Sequence, residues 1–217
     1  LNNTKETETM YQKYGKRLAD VSGALILFPF TAIIFIIVAG CIKLDSRGPI
    51  LFRQKRTGKG GKPFTLYKFR SMPADNDVHD TSKSDSLTRV GKVIRATSLD
   101  EIPQLINIIK GDMSFIGPRP WITDYYDNMN SDQRRRNKVR PGITGRAQAY
   151  GRNSISIQQK IAHDLDYVDN VTLLNDVKII FVTIKTLFDK ESNTLGKSGI
   201  HEELQELKKQ NKPRKKR

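Results

Sequence analysis

The sequence predicts a mainly helical α+β protein with an N-terminal membrane helix, interfacial amphipathic helices and a small β-hairpin element. Residues 24–42 form an apolar stretch without a charged side chain. Amphipathic helical spacing recurs in residues 99–110 and 174–188. Short pieces rich in β-branched and aromatic residues, 49–52 and 64–69, flank a glycine-rich turn. These three features together place the chain in the α+β class.

Length and charge limit the kinds of partner that this chain can have. It has 217 residues, enough for one domain with a sizeable core. It carries 38 Lys and Arg against 23 Asp and Glu, a formal net charge of +15. Such a charge indicates an anionic partner, and nucleic acid, an anionic membrane surface and a phosphorylated substrate all qualify. Cys41 is the one cysteine, so an intramolecular disulfide is excluded.

The apolar stretch is long enough for a membrane helix, which needs about 17–25 residues. Basic residues flank it on both sides, and positive charge prefers the cytoplasmic side of a membrane. Pro29 removes a helical hydrogen bond inside the stretch, and Ser22 lies just before it. A kink in this region would let the chain return to the side from which it entered. From the residues alone, a spanning helix and a re-entrant helix are both open.

Asp100 and Glu101 lie at the start of the predicted helix of residues 99–110. Ser98 followed by Glu101 fits a capping box, so the acids have a purely structural interpretation. A carboxylate in a first helical turn is also favoured in its ionised form, and an ionised carboxylate can attack phosphorus. Two adjacent acids can in addition hold Mg²⁺ against a pyrophosphate. The spacing alone favours the cap over catalysis.

Arginines occur in contexts that restrict the backbone. Arg119 lies between two prolines, and Arg140 precedes a Pro-Gly pair. Arg152 follows a glycine, and Arg95 lies five residues before Asp100. Guanidinium groups suit bidentate phosphate binding, although any single arginine more often forms a surface ion pair. Several of them in loops fixed by proline or glycine favour a phosphate site.

An ordered set of motifs resembles a known family. The runs are Lys-Arg-Leu-Ala-Asp (16–20), Gly-Pro-Ile-Leu-Phe-Arg-Gln (48–54), Tyr-Lys-Phe-Arg-Ser-Met (67–72), Arg-Ala-Thr-Ser-Leu-Asp-Glu-Ile-Pro-Gln-Leu (95–105), Gly-Asp-Met-Ser-Phe-Ile-Gly-Pro-Arg-Pro (111–120), Val-Arg-Pro-Gly-Ile-Thr-Gly (139–145) and Gly-Arg-Asn (151–153). Over residues 11–190 the chain resembles the bacterial sugar transferase family, the monotopic phosphoglycosyl transferases. It is similar to the short members, which hold the catalytic domain alone.

The resemblance implies an activity and a membrane topology. The apolar segment would be a re-entrant helix broken near Ser22 and Pro29, with the catalytic domain on the cytoplasmic side of the bacterial inner membrane. Asp100 and Glu101 would form the catalytic dyad. Asp100 would attack a UDP-sugar, release UMP and hold the phosphosugar covalently. Polyprenyl (undecaprenyl) phosphate would then accept the phosphosugar, which initiates glycan assembly.

The resemblance also implies the surroundings of the dyad. Mg²⁺ would lie beside Asp100 and the pyrophosphate. Other positions match residues of the family's active site, mostly those around the phosphates: Lys68, Arg95, Arg119, Arg152 and Asp164. Arg146 and the pair Ala149-Tyr150 depart from the usual family residues near the presumed sugar site. The identity of the sugar therefore stays open.

The expected organisation is a polar lead-in (1–15), the membrane helix (16–44), a catalytic domain (45–200) and a basic tail (201–217). The tail has two interpretations, attraction to anionic lipids and a disordered solvated segment. A homodimer is compatible with the sequence.

Two other functions compete with the transferase. The charge of +15 suits a membrane-tethered nucleic-acid-binding protein. The sequence has no helix-turn-helix, zinc or RNA-binding signature, so nucleic acid is not expected as a partner. A non-catalytic membrane scaffold is the third hypothesis.

Overall fold

The computed structural model describes residues 9–74, 87–151, 155–187 and 200–211. A π-helical turn, Tyr11–Gly15, leads into helix α1, Lys16–Asp45. The first eight residues of the predicted polar lead-in lie outside the described part of the chain.

Helix α1 continues without interruption through Ser22 and Pro29. The break expected at these residues is not seen, because a proline removes one hydrogen bond and the neighbouring bonds can hold the helix together. The Thr31 hydroxyl donates to the carbonyl of Leu27 at 2.9 Å. Prolines and back-bonded threonines both occur at helix bends. A bend of the helix axis at Pro29 therefore stays a prediction.

The predicted hairpin is present. Strand β1, Leu51–Thr57, pairs with strand β2, Pro63–Phe69, and a short 3₁₀ turn, Lys59–Gly61, connects them. Gly60 and Gly61 have φ angles of 67° and 78°, a left-handed conformation that glycine adopts without strain. The glycine-rich run is therefore a hairpin turn.

The rest of the described chain is mainly helical, in agreement with the predicted class. The remaining elements are α2 (Arg89–Ala96), a 3₁₀ turn (Leu99–Glu101), α3 (Gln104–Lys110), β3 (Ser114–Ile116), α4 (Thr123–Asp127), a 3₁₀ helix (Gln133–Lys138), β4 (Gly142–Thr144), α5 (Arg146–Tyr150), α6 (Ile157–Asp169), α7 (Leu173–Leu187) and α8 (Ile200–Gln210).

The chain divides into two compact units. The first contains Leu1–Asp20, Arg56–Phe64 and Asp112–Arg217, and the second contains Val21–Lys55 and Thr65–Gly111.

The core of the second unit is built around the C-terminal half of α1. Val38 and Ile42 of α1 are buried with Phe69 of β2 and Ile94 of α2. Residues of the turn that carries the acidic pair, among them Leu99, are partly buried against the same cluster. This packing attaches the acidic turn to the membrane helix.

In the first unit a short parallel pair, which the sequence did not predict, joins two distant loops. Strand β3 pairs with β4, with Ser114 opposite Gly142. A Cβ on Gly117 would lie 2.3 Å from the carbonyl oxygen of Arg140, and one on Gly142 would lie 2.2 Å from the amide nitrogen of Gly117. The two loops approach so closely that only glycine fits at these positions.

The N-terminal end of α1 is anchored within the first unit. Asp176 of α7 accepts hydrogen bonds from the Tyr11 hydroxyl and the Lys16 ammonium, each at 2.6 Å. Asp20 accepts bonds from the Ser114 hydroxyl at 2.9 Å and from the backbone amide of Phe115 at 3.0 Å. Because these carboxylates are buried, the bonds form in a low-dielectric environment and hold the helix end in place.

Two helices expose apolar surface. By length and composition the helical segment Tyr11–Asp45 is able to cross a membrane, and 11% of its most apolar stretch is buried inside the protein. On α7, Leu174 and Phe181 are 83% and 68% exposed. Val177, Ile180 and Ile184 of the same helix are also exposed. Helix α7 therefore exposes several apolar side chains while Ile179 of the same helix is buried, and its interfacial amphipathic character stays a prediction.

The segment predicted as a basic tail is in part a packed helix. Helix α8 covers residues 200–210, and its Leu204 and Leu207 are buried. Lys208 and Lys209 are exposed on the same helix. Residues 212–217, which hold the other basic side chains of the tail, lie outside the described residues.

Candidate active site

A left-handed residue places the acidic pair. Helix α2 ends at Ala96, and Ser98 then adopts φ 57° and ψ 15°. Ser98 is the one non-glycine residue with positive φ in the described chain. Such a conformation costs about 1–2 kcal/mol, and strain of this kind is concentrated at functional sites. The chain turns sharply at Ser98 and presents Asp100 and Glu101 on a single 3₁₀ turn.

The predicted capping box at Ser98 is wrong. The Ser98 side chain makes no capping hydrogen bond, because the residue is left-handed and the following helical turn is only three residues long. The longer helix expected over residues 99–110 is divided, and α3 begins at Gln104 after Pro103. A capping box does occur elsewhere, between Ser156 and Gln159 at the start of α6. Helix capping therefore does not explain why the two acids occur at this position.

The ammonium group of Lys68 contacts both acids. Lys68 Nζ lies 2.6 Å from Glu101 Oε1 and 3.3 Å from Asp100 Oδ2. The three side chains are 12–19% exposed, so the group is sheltered without being closed to a ligand. Two adjacent carboxylates repel each other, and one shared cation offsets that repulsion.

The end of strand β2 and the two residues after it assemble the site, and their side chains make different contacts. Lys68 reaches the acids while Phe69 enters the core. The Arg70 guanidinium donates to the backbone carbonyls of Ser46 and Arg47, just past the end of α1. Ser71 accepts a hydrogen bond from Arg95 Nε at 2.8 Å.

A buried amide fixes the same strand to α3. The Asn107 side chain donates to the carbonyl of Thr65 at 2.7 Å and accepts from the amide of Tyr67 at 3.1 Å. Asn107 is fully buried, and its two bonds reproduce the pairing that a neighbouring strand would supply. Lys68, the next residue, is thereby held in register with the acids.

Burial sets the protonation of Asp100. Loss of solvation raises the pKa of the Asp100 carboxyl above its ordinary value, while the nearby Lys68 ammonium lowers it and the Glu101 carboxylate raises it again. Arg95 gives a smaller lowering of the same pKa. We expected the helix dipole to keep Asp100 ionised. In the structure the main charge that favours its ionised form is Lys68.

Asp100 and Glu101 offer a suitable donor set for Mg²⁺. No group of three or more His, Cys, Asp or Glu side chains converges on one point in the described residues. Mg²⁺ needs no such group, because one or two carboxylates with water and substrate phosphates complete its six ligands. The pair therefore fits the expected ion.

The other predicted phosphate ligands lie in the first unit, apart from Arg95. Arg119 is exposed between the buried Pro118 and Pro120, and Arg140 is half-buried on the loop that contacts Gly117. The backbone around both arginines is fixed by the close approach of their loops. Arg152 lies outside the described residues.

Asp164 has a different environment from the one expected of a substrate-binding residue. It is 1% exposed and accepts two bonds from Arg136, from Nε at 2.9 Å and from Nη2 at 2.7 Å. Burial raises the pKa of Asp164, and the Arg136 charge opposes that effect. Arg136 Nη2 also donates to the carbonyl of Arg119 at 2.8 Å. The buried pair thus supports the backbone of a predicted phosphate ligand.

Sequence reasoning missed two arginines. Arg136 belongs to a run of three arginines, a pattern typical of a solvated surface, and its partner Asp164 is distant in the chain. Arg56 follows the apolar stretch among the basic residues of its flank. It is close enough to Arg119 that burial and the second positive charge lower its pKa to about 10. No local pattern distinguishes either residue from its exposed neighbours.

Comparison with known proteins agrees with the family resemblance. The profile of a family described as bacterial sugar transferase matches residues 11–190. A Bacillus subtilis protein named as an uncharacterized sugar transferase, EpsL, is 43% identical over 178 residues, which is 81% of this chain and 88% of that protein. A Caulobacter vibrioides UDP-glucose:undecaprenyl-phosphate glucose-1-phosphate transferase is 40% identical over 189 residues, 82% of this chain and 71% of the relative.

A third relative carries a different sugar in its name. The Aeromonas hydrophila UDP-N-acetylgalactosamine-undecaprenyl-phosphate N-acetylgalactosaminephosphotransferase is 42% identical over 182 residues, 79% of this chain and 43% of the relative. The chain belongs to the bacterial sugar transferase family, and it is an enzyme of the phosphoglycosyl transferase class.

Lys68 and Glu101 have opposite effects on the pKa of Asp100, and this predicts how the transfer rate depends on pH. If transfer requires ionised Asp100, the rate rises as pH increases through the raised pKa of this group. Lys68→Met removes the charge that lowers the pKa, so the acid limb should move to higher pH. Glu101→Gln removes the charge that raises it, so the limb should move to lower pH. Both shifts are measured from kcat/KM for transfer against pH.

Lys92→Met is the matched control, because Lys92 is an exposed lysine on α2. Its profile should coincide with that of the unsubstituted enzyme. Shifts of Lys68→Met and Glu101→Gln in the same direction would contradict the electrostatic account of Asp100.

Proposed function

We propose that this enzyme transfers a phosphosugar from a UDP-sugar to polyprenyl phosphate through a covalent intermediate on Asp100. The observation that carries the proposal is the contact of one ammonium group with both members of a sheltered acidic pair. Support comes from relatives whose names specify a UDP-sugar and undecaprenyl phosphate. The first committed product would be a polyprenyl diphosphate sugar, the starting point of a surface glycan.

Two substitutions at the same phosphorus account for the reaction. An oxygen of ionised Asp100 attacks the phosphorus that carries the sugar, and the bond to the bridging oxygen breaks, so UMP leaves with the electron pair. An oxygen of polyprenyl phosphate then attacks this phosphorus, and the Asp100 carboxylate is released. Each step forms one phosphorus–oxygen bond and breaks one.

The side chains around Asp100 have distinct tasks in this scheme. Lys68 favours ionised Asp100 before attack and supplies positive charge beside the reacting phosphate. Arg95, held by Ser71, adds positive charge near Asp100. Mg²⁺, if bound at Asp100 and Glu101, would neutralise charge on the pyrophosphate.

A UMP-release assay across a panel of UDP-sugars tests the proposal. With polyprenyl phosphate and Mg²⁺ present, at least one UDP-sugar should give continuous UMP release. Without the acceptor, release should stop after about one UMP per enzyme molecule, because the phosphosugar stays on the protein. Asp100→Asn should lower the rate at least about a thousandfold, as expected for loss of a nucleophile.

Asp124→Asn is the matched control, since Asp124 is an exposed carboxylate on α4. It should keep full activity. Retention of activity by Asp100→Asn would refute the role of Asp100. Membrane binding without turnover on any UDP-sugar would favour the scaffold hypothesis instead.

We further propose that α1 is re-entrant and that both of its ends are cytoplasmic. Near its N-terminal end, Asp20 bonds to Ser114 and Phe115. Near its C-terminal end, Ile42 packs against Phe69 and Ile94. Within the described residues no second helix is long and apolar enough to cross a membrane. This supports placing all these partners of α1 on one side of the membrane. Each helix end contacts residues that follow the helix in the chain, and a straight span would separate them.

The exposed apolar residues of α7 support attachment to the same membrane. A helix of this kind lies in the interface with its apolar side chains among the acyl chains. The net charge of +15 would add attraction to anionic lipids of the cytoplasmic leaflet.

Cysteine labelling tests the topology. In a Cys41→Ala background, Met10→Cys and Arg47→Cys should both react with a membrane-impermeant maleimide only after the cells are opened. Arg47 is chosen for the cysteine rather than its neighbour Gly48. Gly48 has a φ of 122°, and a Cβ there would lie 2.7 Å from Arg70 Nη1. Labelling of one position in intact cells, with the other protected, would establish a span and exclude the re-entrant path.

A further inference from the structure

Helix α8 lies beyond the segment that matches the family, yet it completes a core of the first unit. The family profile ends at residue 190, and α8 covers Ile200–Gln210. Leu204 and Leu207 are 9% and 0% exposed in a cluster with residues from α6 and from the segment around α4. The other buried members of this cluster are Trp121, Tyr125, Met129, Ile157 and Ile161.

Polar contacts at several points fix the register of α8. The Glu203 carboxylate accepts from Lys160 Nζ at 2.6 Å and from the Tyr125 hydroxyl at 3.3 Å. Just past the helix, Asn211 Nδ2 donates to the carbonyl of Asn128 at 2.7 Å and to Gln133 Oε1 at 2.8 Å. Contacts to three separate chain segments show that α8 is a specific part of the fold.

The elements that α8 holds are those that support Arg119. The Trp121 ring, which lies in the cluster with α8, has the Arg136 guanidinium carbon 3.9 Å from its centroid. Arg136 donates to the carbonyl of Arg119 and to Asp164 of α6. Loss of α8 would remove part of the cluster in which Trp121 is buried, and would thereby loosen the ring on which Arg136 rests.

We propose that α8 is a positioning element for the Arg119 loop, which it reaches through Trp121 and Arg136. The inference rests on the proposed function and on the phosphate-binding role that the family resemblance implies for Arg119. Helix α8 then sets the affinity for the nucleotide and takes no part in the chemical step. Leu207 is its central positioning residue, because it is fully buried in the shared cluster.

The single tryptophan of the chain makes the docking of α8 directly observable. Trp121 is the one tryptophan in the sequence, so its fluorescence reports on this cluster alone. In Leu207→Asp the emission should move to longer wavelength and acrylamide should quench it more strongly, because water reaches the ring. Leu204→Ala is a milder variant for the same measurement. Lys208→Ala, at an exposed position, and removal of residues 212–217 should leave the emission unchanged.

Hydrogen exchange of residues 115–122 tests the positioning without reference to activity. This segment should exchange faster in Leu207→Asp and Leu204→Ala, and at the original rate in Lys208→Ala and Leu207→Met. Changed Trp121 emission with unchanged exchange of the segment would overturn the proposal. Unchanged emission in Leu207→Asp would show that α8 does not dock, which would also overturn it.

Binding of UDP gives the functional readout. Leu207→Asp should raise the Kd for UDP and the KM for the UDP-sugar about tenfold, the effect of weakening one charge-assisted contact, with kcat nearly unchanged. In an Arg119→Ala background the same substitution should have no further effect, because contacts in series are not additive. An equal effect in both backgrounds would show that α8 does not act through Arg119. Absence of UMP release from the unsubstituted enzyme would refute the proposed function and leave the exchange result standing.

Discussion

The contact of the Lys68 ammonium with Asp100 and Glu101 is the interaction on which the site depends. Two adjacent carboxylates in a sheltered turn repel each other, and burial further disfavours the charged form of Asp100. Without a cation, Asp100 would be protonated more readily and would be a poor nucleophile. Lys68 keeps the ionised form accessible while leaving the pKa of Asp100 above its ordinary value. A group in that state is both reactive and sensitive to neighbouring charge.

The rest of the second unit serves to hold Lys68 and the acidic turn in register. Asn107 fixes strand β2 from one side, and Arg70 fixes its end to the residues after α1. Val38 and Ile42 of α1 share a core with the strand and with the acidic turn. Helix α1 thus packs directly against the elements that carry the site. Displacement of α1 would therefore disturb the acidic turn directly.

The sequence predicted the elements that rest on local pattern and missed those that rest on distant contacts. Apolar periodicity located α7 within about one residue, and turn chemistry located the hairpin. The Ser98 capping box failed because a left-handed residue overrode a local side-chain pattern. The burial of Arg136 and the packing of α8 were not predicted, since burial of a charged segment depends on partners far away in the chain. The dyad itself was identified by motif resemblance, because its spacing favoured a helix cap.

Identification of the residue that carries the phosphosugar is the most direct test of the central claim. The enzyme is mixed with a UDP-sugar in the absence of polyprenyl phosphate, quenched in acid and cleaved with trypsin. The peptide of residues 96–110 contains Asp100 and Glu101 as its only acidic side chains. Mass spectrometry should find this peptide heavier by one phosphosugar, with the added mass on Asp100. Added mass on Glu101, or release of one UMP per enzyme with no modified peptide, would contradict the account.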